Sequence, residues 1–565
     1  MDIITKMLFA GVGVLFFVAV AVGDSLDVCL EDMGCMRGTV MPGYQSGEFE
    51  AFMGIPFAQP PVGPLRLKNP VPNEPWEGVL DAGTAKDSCV QRSYFAKEWG
   101  LMGVEDCLYL NVYRPKNRAE DKLPVMVYIH GGGFFSGSAH PMASGPEYLM
   151  DTGKVVMVAM SYRLGPFGFL STGDEHMPGN FGFKDQRLAL QWIQKHIATF
   201  GGDPKKVTIL GHSAGGISTH LHMISPNSKG LFQNSMSLTG TMFLSGIKTL
   251  KDPLSQARRL GKELAIDQAE TLSTQDLAEA LRKVCHKKLL ISADSLKVWD
   301  NMPHLTSLPV VEAPSPDAFL VEDPLDAHRA GRIHQVPWIL SLSSRAGEGS
   351  LFLMRAFINP KLRAEFNENF LEHMVLLLNL PEGTPVQMVS EILDAYDFKG
   401  DSLNNDTMLK LAEISGDFNF YYPIYETISS YVNYANLEEN PLYIYIFEFV
   451  GLSSITKFFA GTTDDYGLGA VHMDDGLHTI RIPISFDDFP KDSEDAKVIQ
   501  RMTSLMADFA KTGVFHEEST CKASDFNDQG MCKYLHFGGN KEKYLEDIRN
   551  SITLTGYPIW KKLFA

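Results

Sequence analysis

The sequence predicts an α/β protein built on a large, mostly parallel, twisted central sheet flanked by helices. Two observations carry this. Short, predominantly apolar runs recur along the chain, set off by glycine and proline, and longer segments with apolar residues at helical spacing separate them. Strands buried on both faces read as continuous apolar runs, and the order strand, helix, strand is that of a parallel crossover unit.

The expected strands are residues 125–129, 155–160, 207–210, 338–340 and 442–449. Between the second and third, residues 185–200 place Leu188, Trp192, Ile193 and Ile197 at helical spacing. Helical patterns dominate over about 255–285 and 360–434 and read as helices over the sheet or as a helical cap region. A further helix is expected over 494–512, closed by Gly513 at its C-cap.

Composition bounds the rest. The 565 residues are 44% apolar, enough for a large core. No linker, low-complexity stretch or fixed-period repeat divides them, so residues 24–565 are expected to form one catalytic domain. A net charge of −18 disfavours nucleic acid and anionic membrane as partners. It leaves the oligomeric state open. At the N-terminus, Lys6 precedes an apolar run to Val22, and Ala21-Val22-Gly23 sets small residues before Asp24. That pattern predicts a cleaved signal peptide over residues 1–23. The apolar run falls short of the roughly 20 residues of a bilayer span. The last residues, Trp560 to Ala565, match neither a retention signal nor a lipid-anchor tail. The expectation is a secreted protein without a stable membrane anchor.

Seven cysteines fit an oxidising compartment. Three local pairs are conceivable: Cys29 with Cys35, Cys89 with Cys107, and Cys521 with Cys532. Cys285 is left over and reads as a buried free thiol. No cysteine or histidine spacing fits a zinc site, so no metal is expected. Asn405-Asp406-Thr407 is a glycosylation sequon.

Two motifs carry chemistry. The run 207–210 leads directly into Gly211-His212-Ser213-Ala214-Gly215, followed by a helical pattern over 217–224. In a strand–turn–helix setting this G-x-S-x-G predicts a nucleophilic serine, Ser213, raised on a cramped turn, as in the α/β-hydrolase fold. The run 125–129 leads into His130-Gly131-Gly132-Gly133-Phe134. Three consecutive glycines after a buried strand cost stability. They predict backbone N–H groups facing a ligand, and Gly132, Gly133 and Ala214 are the candidate oxyanion hole. The G-K-[ST] of a phosphate loop is absent.

Further segments make the chain recognisable. Glu105-Asp106-Cys107-Leu108-Tyr109-Leu110-Asn111 resembles a signature of type-B carboxylesterases. So do Gly54-Ile55-Pro56-Phe57-Ala58, Pro178-Gly179-Asn180 with Lys184-Asp185-Gln186, and Phe200-Gly201-Gly202-Asp203-Pro204. The match covers nearly the whole expected mature chain and is nearest to secreted insect carboxylesterases, the β-esterases and juvenile hormone esterases. The resemblance implies that the acidic triad member is Glu348, in Gly347-Glu348-Gly349-Ser350-Leu351-Phe352. It implies that the histidine is His472, in Gly469-Ala470-Val471-His472-Met473-Asp474-Asp475. His478 is a competitor close by that does not fit the motif. The chain order Ser, Glu, His is the one this fold uses. The implied activity is hydrolysis of small to medium hydrophobic carboxylic esters, with no cofactor.

The chain also departs from its relatives. His212, as in some insect β-esterases, stands where juvenile hormone esterases carry Gln and cholinesterases Glu, which weakens a juvenile hormone assignment and leaves it open. Trp99 does not match the offset of the choline-binding tryptophan. Thr239 stands where many relatives have a serine near the catalytic histidine, and an equivalent hydroxyl donor is expected there. Phe134 and Phe135 either line an acyl or alcohol pocket or pack in the core. Leu376, Leu377 and Leu378 are compatible with a hydrophobic gorge. Two other readings are a non-catalytic, esterase-like binding or adhesion protein, which usually lacks a triad member, and a stoichiometric scavenger, which burst kinetics would expose.

Overall fold

In the computed structural model of the chain, residues 26–564 are described, apart from 46, 93–99, 117–121, 245–247, 382, 463, 465, 526–531, 551–553 and 555. The signal peptide expected over residues 1–23 and Trp99 lie outside the described residues. Among the described residues eleven strands form one sheet. In chain order they are β1 (Thr39–Pro42), β2 (Glu48–Pro56), β3 (Tyr109–Pro115), β4 (Leu123–Ile129), β5 (Val156–Met160), β6 (Gly202–His212), β7 (Asn234–Leu238), β8 (Trp338–Ser343), β9 (Leu442–Phe447), β10 (Tyr534–Asn540) and β11 (Lys543–Arg549). Their spatial order is β11-β10-β9-β8-β7-β6-β4-β5-β3-β2-β1. From β5 across to β10 every neighbouring pair is parallel. The margins, β5 to β1 on one side and β10 with β11 on the other, are antiparallel. The five runs read from the sequence are β4, β5, β6, β8 and β9.

The apolar runs are buried along their whole length because both faces of the sheet are covered. Alternate residues go to opposite cores. Val125, Val127 and Ile129 face one core, with Val156, Val158, Leu340 and Ile444. Met126 and Tyr128 face the other, with Met157, Ile339, Tyr443 and Tyr445. The first face is covered by α1 (Phe181–His196), α2 (Ala214–Ile224), α3 (Arg345–Ile358) and the cap helices between Pro360 and Val432. The second is covered by α4 (Glu494–Thr512) through Val498, Met502, Met506 and Phe509. Helix α4 begins with Ser493 Oγ accepting from Ala496 N and ends at Gly513, φ 74°, as expected for this cap. The leucine run packs in the cap itself, with Leu377 and Leu378 fully buried there.

Strand β7 left no apolar signal. Its two buried serines break the apolar pattern: Ser237 Oγ accepts from Trp338 Nε1 at 2.9 Å and lies 2.8 Å from Thr219 Oγ1, whereas Ser235 Oγ makes no hydrogen bond among the described residues. Helix α1 starts four residues earlier than its apolar pattern, after Asn180 in the left-handed conformation. Asn180 Nδ2 donates to Val310 O and Glu312 Oε1, and Val310 N donates back to Asn180 Oδ1. Lys184 pairs with Glu312 at 2.5 Å, both nearly inaccessible. The motif residues around α1 therefore anchor the segment near residue 310 to the sheet-covering layer.

Cys29–Cys35, Cys89–Cys107 and Cys521–Cys532 are joined as disulfides. Cys285 is free, but it is exposed rather than buried. It sits just before the short surface helix His286–Ser292, whose Lys287 and Lys288 are also exposed. Asn405 is exposed in a turn. Among the described residues, no helix is long and apolar enough to cross a membrane.

Arg163 and Asp185 form a buried bidentate pair, 2.7 and 2.8 Å, and the Arg163 N–H also donates to Asp185 at 3.0 Å. Removing one partner leaves a buried charge unpaired, which costs about 3–5 kcal/mol. Asp185→Ala is therefore expected to lower the midpoint of urea unfolding by that equivalent. A midpoint unchanged from wild type would show the pair to be energetically idle.

Candidate active site

Ser213 sits between β6 and α2 at φ 55°, ψ −120°, a sparsely populated conformation for a residue with a side chain. The turn is clamped by its neighbours. Ser213 N donates to Leu238 O at 2.8 Å, and Ser213 O accepts from Ile217 N at 2.9 Å. A Cβ on Gly211 would lie 2.5 Å from Ile129 O, and one on Gly215 or Gly240 would collide with Ile129 O or Ser213 O. The three glycines let strand β4, the β7 end and the first turn of α2 close around the serine. Ser213 itself is partly exposed and faces a pocket.

Glu348 lies in the first turn of α3, five residues beyond Ser343, the last residue of β8. Its Oε1 accepts from Ser343 N at 2.6 Å, and its Oε2 lies 2.6 Å from His472 Nδ1. Both side chains are buried. With Nδ1 donating to the carboxylate, Nε2 is left as the acceptor nitrogen. Nε2 makes no hydrogen bond among the described residues, to Ser213 or to any other group. Such bonds are often open before substrate binds. The approach of the two loops requires Gly347, where a Cβ would collide with Ala470 O. Asp474 fixes the histidine loop by accepting from Val471 N and Ile455 N. The competitor His478 has both nitrogens engaged, with Asp474 O at 2.8 Å and Asp495 Oδ1 at 3.0 Å.

In the glycine loop, Gly132 and Gly133 have φ 109° and 61°. A Cβ on Gly133 would strike the Phe135 ring, and one on Gly131 would lie 2.6 Å from His212 O. Neither the Gly132 nor the Gly133 N–H donates to a protein acceptor among the described residues. Ala214 is the first residue of α2, so its N–H has no intrahelical acceptor. Before this loop, the buried His130 is pushed down to about 4 by burial, and its carbonyl accepts from Tyr162 OH at 2.8 Å.

The pocket in front of Ser213 is mostly apolar. Gly133, Ala214, Phe135, Ile217, Leu244, Leu305, Leu351, Phe352 and Phe420 line it with His304 and Asn419. The two adjacent phenylalanines part: Phe135 lines the pocket, whereas Phe134 packs in the core against Phe169 and Phe183. No sequence pattern marked most of this lining, because it is assembled from the glycine loop, the serine turn, α3, the cap and the loops near 244 and 304, segments up to hundreds of residues apart.

Behind Ser213 lies a group of underused polar atoms. His212 is fully buried with neither ring nitrogen hydrogen-bonded, and its Nε2 is 3.6 Å from Asp475 Oδ1, itself without a partner. Asp475 Oδ2 accepts from Tyr445 OH at 2.7 Å and Ser341 Oγ at 3.3 Å. Thr239 Oγ1 is buried and unbonded, so the hydroxyl donation expected of it is not made in this structure. Burial lowers the pKa of His212 against the opposing pull of Asp475. No three His, Cys, Asp or Glu side chains gather to hold a metal ion among the described residues.

A parallel sheet with a serine on the strand–helix turn after β6, and a carboxylate–imidazole pair brought in from beyond β8 and β9, is the arrangement of an α/β-hydrolase. The family model described as the carboxylesterase family matches residues 25–553. The chain belongs to that family and is a carboxylic ester hydrolase. It is 34% identical to a juvenile hormone esterase of Tribolium castaneum, over 94% of this chain and 92% of that one. It is 32% identical to venom carboxylesterase-6 of Apis mellifera, over 89% and 88%, and 33% identical to esterase FE4 of Myzus persicae, over 84% and 83%. Among solved structures it is similar to the juvenile hormone esterase of Manduca sexta with OTFP covalently attached. The TM-score is 0.78 at 26% identity, covering 96% of this chain and 100% of that one.

Burial holds His130, His212, His220, His222, His304 and His328 below the ordinary imidazole value. The unfolded chain takes up protons at about pH 6.5 that these folded groups refuse, so each contributes stability that is lost as pH falls below that value. Asp417 and Asp474, both pushed up to about 7 by burial, act in the opposite direction over the same window. His140, His196 and His334 are lowered likewise and Glu147, Asp151 and Asp185 raised, so nine imidazoles oppose five carboxyls, and the urea midpoint is expected to fall from pH 7 to pH 4.5. A flat or rising midpoint would contradict these burial effects.

Proposed function

We propose that Ser213, His472 and Glu348 act as nucleophile, general base and orienting acid in hydrolysing hydrophobic carboxylic esters of small to medium size. The 2.6 Å contact between Glu348 and His472, with Nε2 left free, is the observation that carries this reading. His472 Nε2 takes the Ser213 proton as the oxygen attacks the ester carbonyl. Glu348 keeps the imidazole in the tautomer that accepts at Nε2 and stabilises the positive charge it acquires. The N–H groups of Gly132, Gly133 and Ala214 receive the tetrahedral oxyanion. His472 then protonates the leaving alcohol, and water repeats the cycle on the acyl-enzyme. No step calls on a cofactor.

The three disulfides and the leader-like residues 1–23 support secretion, and the exposed turn at Asn405 supports glycosylation there. A purely binding role has no such support, since each residue of the proposed triad and oxyanion hole is present.

A chain-length series of p-nitrophenyl esters, with juvenile hormone as an added substrate, tests the assignment. Ser213→Ala and His472→Ala are each expected to lower kcat/KM by about a thousand-fold or more, and Glu348→Gln by a comparable factor. Mass spectrometry of wild type treated with an organophosphate should place the adduct on Ser213. Equal turnover by wild type and Ser213→Ala, or an adduct elsewhere, would overturn the proposal.

A further inference from the structure

His304 stands out in the apolar pocket in front of Ser213. The side chains there with a nitrogen or oxygen are Ser213, Asn419 and His304. Asn419 is engaged: its Nδ2 donates to Leu377 O and Ser415 Oγ at 3.1 Å, and its Oδ1 accepts from Asn379 Nδ2 at 2.9 Å. Ser213 is reserved for the attack. His304 is only 6% exposed, and its Nε2 is shut off from solvent without a hydrogen-bond partner. Leaving such a group unpaired in an apolar setting is a cost that a phenylalanine at this position would avoid.

The ring is held firmly. It stacks on Phe352 with centroids 4.5 Å apart. The backbone beneath it is fixed by Lys297, whose ammonium donates to Pro303 O at 2.7 Å and His304 O at 2.9 Å. Burial, then the nearby Lys297 charge, pushes the imidazole down to about 3, so at neutral pH it is uncharged, with one nitrogen a donor and the other an acceptor.

Resting on the ester-hydrolase reading above, we propose that His304 is a specificity-determining residue. Its imidazole is the polar anchor of this pocket and selects esters whose buried chain carries an oxygen it can hydrogen-bond, such as an ether, over all-hydrocarbon chains. A site built to bond an oxygen penalises the analogue lacking it far more than an apolar pocket penalises a missing methylene.

The test is an oxygen scan. In p-nitrophenyl esters of one acyl length, and in a matching series of acetate esters, a single methylene is replaced by an ether oxygen at successive positions. Each kcat/KM is divided by that of the hydrocarbon parent and corrected for hydroxide-catalysed reactivity. Wild type should show a peak of about ten-fold or more at one position in at least one series. His304→Phe, which keeps an aromatic ring beside Phe352, and His304→Leu should erase the peak, read within each variant as the ratio of ether ester to hydrocarbon parent. A flat wild-type profile in both series overturns the inference even if the variants do not fold. So does a peak that survives in the variants. Failure of wild type to hydrolyse any ester would instead remove the reading on which the inference rests.

Discussion

The close approach of three backbone segments around Ser213 is the constraint that organises the molecule. A serine at φ 55°, ψ −120° persists only where its surroundings leave it no alternative. Here the end of β7 takes its N–H, the first turn of α2 takes its carbonyl, and β4 presses against Gly211 and Gly215. All three segments are held by the parallel centre of the sheet, where β4, β6 and β7 are adjacent. The same contacts that force the serine forward bring the glycine loop after β4 beside it. Strain at one residue and a set of unpaired N–H groups are thus two results of one packing arrangement.

The carboxylate and the imidazole depend on the next strands outward. Strand β8 delivers Glu348 through the start of α3, and the long connection after β9 delivers His472. Gly347 lets the two backbones meet, and the Ser344 hydroxyl accepts from Ala470 N at 3.0 Å. Each reactive side chain is therefore set by a strand end and a glycine. The cap closes the pocket from the other side, and its Phe420 packs against the His472 ring with centroids 5.0 Å apart.

Legibility in the sequence followed burial. Strands covered on both faces, β4, β5, β6, β8 and β9, could be read directly because apolar residues predominate along their buried stretches. Strand β7 could not, since buried serines interrupt it; Ser237 pairs with a hydroxyl and an indole N–H, and Ser235 Oγ is left unbonded. The marginal antiparallel strands were equally silent; β11 alternates exposed and half-buried residues and has no continuous apolar run. Of the candidate site, Ser213 and the oxyanion glycines stood out because strained or close-packed backbone demands particular residues at fixed spacing. Glu348 and His472 carry no local signature of their own and were reached only through resemblance. His304, Asn419 and Phe420 were not reached at all. Their neighbourhood is created by the cap fold, and no spacing records it. Cys285 was misjudged because a free thiol was presumed to need shelter, whereas its flanks are lysines at the surface.

The orphaned polar atoms show where this fold places function ahead of stability. Buried donors and acceptors are nearly always paired, so unpaired ones are informative when they cluster. His212, Thr239, Asp475 and His472 each leave at least one buried atom unbonded, and all flank the serine turn or the imidazole that serves it. Apolar residues could fill much of that volume at lower cost; β7 likewise pairs its Ser237 hydroxyl while leaving Ser235 Oγ unbonded, so unpaired hydroxyls are not confined to the serine turn. On the mechanism proposed above, the polar groups behind Ser213 shape the electrostatic environment of Ser213 and His472. Unlike His304, which lines the pocket, they lie on the protein side of Ser213. On that reading their influence on an ester passes through the orientation and charge of His472 rather than through contact with the substrate.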